Sequence, residues 1–179
     1  MKSPPLHQHD GFSLIELLTC LAVIAILSSL AVPTFQHIAA KQEFKSIQSL
    51  IQQQTRLARS HALTVHQDIV ICAAGDIKNC SNNQWQHGLL MYVDLNQNRK
   101  LDSEDNVLYY SSTALKYGLL SWHGNATHPH QLVFQADTGL PRGSQGSFRY
   151  CSFKYPELSH DFALGAMGHI TVSESHQCD

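Results

Sequence analysis

One carboxylate stands alone in the run "FSLIELLTCLAVIAILSSLAV" from Phe12 to Val32: Glu16. The next fixed charge along the chain is Lys41. A carboxylate deep in hydrocarbon costs roughly 2.5–3.5 kcal/mol even on lenient insertion scales. Such a residue persists where something pairs with it, and a helix bundle can offer a cation from a neighbouring chain. Cleavage between Gly11 and Phe12 would create that cation, the new α-amino group of Phe12. Glu16 would then be the fifth residue of the mature chain.

A second constellation is Asp94, Asn96, Asn98, Asp102 and Asp105, at positions 1, 3, 5, 9 and 12 of a calcium-loop pattern. Oxygen ligands at alternate positions suit a large hard cation. Position 6, normally Gly, is Arg99, and position 12 is Asp105 in place of the bidentate Glu. A polar turn between Val93 and Val107 accounts for the same residues, because Asn and Asp cap their own backbone. The turn is the favoured reading, and no metal is assigned. His123, His128 and His130 in "HGNATHPH" lack carboxylate or Cys partners nearby and read as exposed loop residues. There is no G-x-S-x-G, no H-E-x-x-H and no phosphate-cradling glycine loop, so neither an enzyme nor a cofactor is expected.

Five cysteines divide into two groups. Cys20 lies inside the apolar run. Cys72, Cys80, Cys151 and Cys178 come after it, and four cysteines allow three pairings. Cys72 and Cys80 flank the polar loop "AAGDIKN", while Cys151 and Cys178 bracket the C-terminal segment. Those two pairings are expected, and with them an oxidising compartment. The absence of a C-x-x-C pair argues against zinc. Charge is nearly balanced, 12 Lys+Arg against 14 Asp+Glu, which excludes a strongly basic nucleic-acid binder and an acidic disordered chain. Arg142, Arg149 and Lys154 share one region and are candidate DNA contacts. The tail "SESHQCD" is acidic, so solvated surface charge is favoured for the three.

These residues need elements to hold them. A helix of 21 residues spans roughly 31 Å, a bilayer core. A cleaved secretory signal has a shorter apolar region, and a plain anchor leaves Glu16 unexplained. Cleavage after Gly11 keeps the arm and uses Glu16. Beyond Pro33 the pattern turns amphipathic, with Phe44, Ile47, Leu50, Ile51, Leu57 and Ala58 at helical spacing. One helix is expected from Phe12 to about His61, kinked near Pro33. Six short runs rich in β-branched and aromatic residues come next: 64–72, 89–93, 107–110, 131–135, 147–151 and 169–172. The expected class is α+β, a long helix packed on an antiparallel sheet. Its parts are a leader (1–11), a membrane or filament-core helix (12–32), an amphipathic continuation (33–62) and a β-rich head (63–179).

"GFSLIELL" followed by an apolar helix resembles the class III signal of type IV pilins and type II secretion pseudopilins. The resemblance implies cleavage by a prepilin peptidase between Gly11 and Phe12, N-methylation of Phe12, and packing of the helix into a filament core. Pro33 matches a proline that commonly kinks pilin helices. "WQHGLLMYVDLNQNRKLDSEDNVLYY" and "VFQADTGLPRGSQGSFRYC" resemble stretches of GspH/FimT-type pseudopilins and minor pilins. This second resemblance implies a non-catalytic subunit that primes or caps a type IV pilus or a type II secretion pseudopilus. Its partners would be other major and minor pilins or pseudopilins, the peptidase and an inner-membrane assembly platform. The chain would cross the inner membrane once, with a periplasmic head, before entering the filament. The alternative is a pilus-tip subunit that binds DNA for natural transformation or adheres to a surface.

Overall fold

The computed structural model of the chain describes residues 13–125 and 129–178. Gly11, Phe12 and His128 lie outside the described residues. The first element is a helix of 52 residues, α1 (Leu14–Val65). It runs unbroken through Pro33, whose missing N–H leaves the Ser29 carbonyl without its intrahelical donor. Nearby hydroxyls bond backward instead, Ser29 Oγ to the Ile26 carbonyl at 2.7 Å and Thr34 Oγ1 to the Leu30 carbonyl at 3.1 Å. The helix ends four residues beyond the expected His61. Thr64 and Val65 read as strand by their β-branching, but Ala62 is fully buried and continues the helical stripe. His66 closes the helix at φ 54°, with its N–H on the Ala62 carbonyl at 3.0 Å.

The chain divides at Ile38/Ala39 into two units. In the second, Ala40, Ile47, Ile51, Ala58 and Ala62 of α1 are buried at helical spacing. They face eight strands: β1 (Asp68–Ala73), β2 (Gly88–Asp94), β3 (Asn106–Ser112), β4 (Gly118–Gly124), β5 (Gln131–Phe134), β6 (Gly146–Ser152), β7 (His160–Leu164) and β8 (Ile170–Glu174). A 3-10 turn, Pro156–Leu158, precedes β7. The strands form two antiparallel sheets in place of the single one expected, ordered β3-β2-β1-β5 and β4-β6-β7-β8.

Sequence pattern tracks layer position. β1 and β2 are nearly continuous apolar runs because both their faces are covered. Ile69, Ile71, Leu89 and Met91 enter the main core with α1, while Val70, Cys72, Leu90 and Tyr92 enter a second cluster on the opposite face. β4 and β7 bury alternate residues, Leu120 and Trp122 in one and Phe162 and Leu164 in the other. Trp85 is fully buried and meets Phe148 edge-on at 4.9 Å, which joins the β1–β2 connection to the second sheet. Gly88 is fixed by close approach: a Cβ there would lie 2.5 Å from the Ala74 carbonyl oxygen.

Candidate assembly site

The arm that carries Glu16 presents apolar surface outward. Leu14, Ile15, Leu17, Leu21, Ile24 and Leu27 are all more than half exposed. By length and composition α1 is the one helix among the described residues able to cross a membrane. Glu16 is the only Asp, Glu, Lys or Arg between Leu14 and Ile38. Its carboxylate accepts the Ser13 backbone N–H at 3.0 Å and the Ser13 hydroxyl at 3.1 Å. Ser13 Oγ in turn accepts the Glu16 N–H at 3.3 Å. This reciprocal pairing is a capping box at the helix start. Glu16 is thus bonded within its own chain at an end rich in unsatisfied N–H groups, where negative charge is favourable. Ser13 has no role in the expectations above, although S-x-x-E ahead of an apolar run is the signature of this cap.

Further along α1, Glu43 fastens the helix to the second sheet. Its carboxylate accepts the Tyr150 hydroxyl at 2.9 Å and the backbone N–H groups of Lys116 and Tyr117 at 2.7 and 3.1 Å. Burial, then the Glu43 hydrogen bond and charge, push the Tyr150 hydroxyl well above its ordinary range. The signal for Glu43 is present in the sequence, since Glu16 and Glu43 are the only acids in α1.

Cys72 is bonded to Cys80 and Cys151 to Cys178. The second bond lays the C-terminal tail against β6, where Gln177 Oε1 accepts from Arg149 at 2.9 Å. Arg149 also grips Asp161 of β7 with two bonds, at 2.8 and 3.2 Å. Burial opposes ionisation of Asp161, but Arg149, with Ser175 and His123, outweighs it and holds the carboxyl below its usual range. Arg142 pairs with Asp137 at 3.3 Å on the open surface, and Lys154 lies 5.6 Å from the Tyr155 ring centre.

The Asp/Asn segment forms the β2–β3 connection. Asp94 is fully buried and accepts the N–H groups of Asn98 and Arg99 at 3.2 and 2.9 Å. Arg99 adopts φ 61°, the left-handed conformation that position 6 demands, without being Gly. Burial raises the Asp94 carboxyl pKa even though those amides lower it. Asp105 accepts from Leu95 and Asp102, and Asp102 accepts from Glu104, Asn96 and Asn98. These oxygens hold the turn. Among the described residues no group of three His, Cys, Asp or Glu side chains is arranged to hold a metal. His123 bonds Ser121 and His130 bonds Asn83.

A long helix, apolar and uncovered in its first part and packed on antiparallel sheets in its second, defines a pilin-like subunit. Comparison with known families agrees. The family described as type II transport protein GspH matches residues 49–173, and the prokaryotic N-terminal methylation motif matches residues 6–32. The chain belongs to the GspH family. Comparison with curated proteins yields no match. Two crystal forms of the type IV minor pilin FimU of Pseudomonas aeruginosa (strain PAO1) resemble it in fold, with TM-scores of 0.55 and 0.51 and 18% identity in both. The matches cover 77% and 75% of this chain, and 93% and 96% of those chains.

Proposed function

We propose that this pilin-like structural subunit is a minor pilin or pseudopilin that primes or caps a type IV pilus or a type II secretion pseudopilus. A prepilin peptidase removes residues 1–11, and Phe12 becomes an N-methylated terminus. Glu16 then exchanges its bonds to Ser13 for the Phe12 amine of the neighbouring pilin, which fixes the axial register. Pro33 supplies the bend that fits the arm to its neighbours. Before assembly the arm anchors the chain in the inner membrane with its head in the periplasm, where both disulfides persist.

The observation that carries this reading is the uncovered apolar arm with one carboxylate at its start. Apolar surface of that extent needs lipid or other helices around it, and the carboxylate needs a cation there. The alternative of a DNA-binding or adhesive tip subunit has less support, because Arg149 is already committed to Asp161 and Gln177, and Arg142 to Asp137. The test is Glu16→Ala in the full chain, scored for incorporation into sheared filaments. Loss of incorporation with normal membrane levels is expected; normal incorporation overturns the proposal.

A further inference from the structure

We propose that the cleft between α1 and the β7–β8 turn binds an acidic peptide segment of a neighbouring pilin subunit. The cleft has a volume of about 380 Å³. Arg56 and Arg59 stand on its helix side and His169 on its turn side, and among the described residues no Asp or Glu lines it. From Phe44 to Val65 the helix contains no acid at all.

Arg59 is held in place for this task. Its Nη1 donates to the Met167 carbonyl at 3.3 Å. Gly139, at φ 60°, lets the chain pass over its stem, where a Cβ would sit 3.0 Å from Arg59 Cγ. A guanidinium has five N–H donors, so that single bond leaves most of the fork available. Arg56 lies three residues earlier, on the same helical face. Gly168 sits beside that fork: a Cβ added there would lie 3.9 Å from Arg59 Nη1.

The walls favour carboxylates over nucleic acid. Paired guanidinium forks match carboxylate geometry. Among the described residues no Phe, Tyr or Trp lines the cleft, so it lacks the stacking platform that single-stranded nucleic acids use. The identity of the occupant as a pilin rests on the filament reading; the acidic chemistry does not.

The test uses detergent-solubilised full-length chain and fluorescein-labelled octaglutamate, followed by anisotropy. Saturable, salt-sensitive binding is expected. Arg56→Gln combined with His169→Gln, both exposed, should weaken it roughly tenfold, the equivalent of one charge-assisted hydrogen bond. Absence of saturable binding, or equal binding by the double variant, overturns the proposal. Tighter binding of octathymidylate than of octaglutamate also overturns it, by assigning the cleft to nucleic acid. Glu16→Ala should bind octaglutamate normally while failing to assemble, so failure of the filament reading and failure of this one are read separately.

Discussion

Ser13 and Glu16 cap each other, with the Ser13 N–H on the Glu16 carboxylate at 3.0 Å and the Glu16 N–H on Ser13 Oγ at 3.3 Å. The carboxylate that assembly would recruit therefore has an intrachain role first. Glu16→Gln keeps an oxygen acceptor for the cap but removes the charge. If a terminal amine is the true partner in the filament, Glu16→Gln should block incorporation as fully as Glu16→Ala. Wild-type incorporation of the Gln variant would show that hydrogen bonding alone suffices.

Glu43 joins α1 to β6 and to the residues just before β4 through three donors. Glu43→Ala leaves the Tyr150 hydroxyl and two amides without their acceptor, and one unsatisfied buried donor costs about 1–3 kcal/mol. A loss of about 2 kcal/mol lowers the melting temperature by roughly 4–8 °C at this size. Tyr150→Phe, which removes donor and demand together, should cost less. Equal melting of Glu43→Ala and wild type would contradict this role.

Asp161 predicts an acid limb. Its carboxyl pKa is depressed in the folded state, so its contribution is complete above the unfolded value of about 3.9 and is lost as pH falls through the lower folded value. Asp161→Asn should be less stable at neutral pH and show a shallower decline in urea midpoint on acidification. Parallel decline of the two proteins would remove Arg149–Asp161 from the account.

The two disulfides should differ in weight. Chain-entropy arguments give about 2.5 kcal/mol for Cys72–Cys80, separated by 8 residues, and about 3.5 kcal/mol for Cys151–Cys178, separated by 27. Cys151→Ser with Cys178→Ser also frees the tail and its Gln177 contact. That double variant should melt lower than Cys72→Ser with Cys80→Ser, as measured by calorimetry; the reverse order would contradict the assignment.

Much of the fold is legible in the residues. The apolar run from Phe12 to Val32 with its one acid announces the arm, and the apolar spacing from Phe44 onward announces the packed part of α1. β1 and β2 are unmistakable because both faces are buried. β4, "GLLSWHG", and β7, "HDFAL", do not stand out as strands. Each buries only alternate residues across seven or five positions and carries Gly, Ser, His or Asp among them, too short a pattern to separate from loop. Without them the second sheet is hidden as well. The cleft at Arg59 is illegible because it joins positions more than a hundred residues apart, which only the fold brings together. At Arg99, where Gly is the usual residue, two amides on Asp94 accompany a left-handed turn that the residue type alone does not announce.

The most direct measurement is the intact mass of the protein extracted from membranes, with sequencing of its N-terminus. The account predicts a chain that begins at Phe12, carries one added methyl group on its terminal amine and retains the apolar arm. A chain still bearing residues 1–11, or one that has lost the arm through Val32, would contradict it.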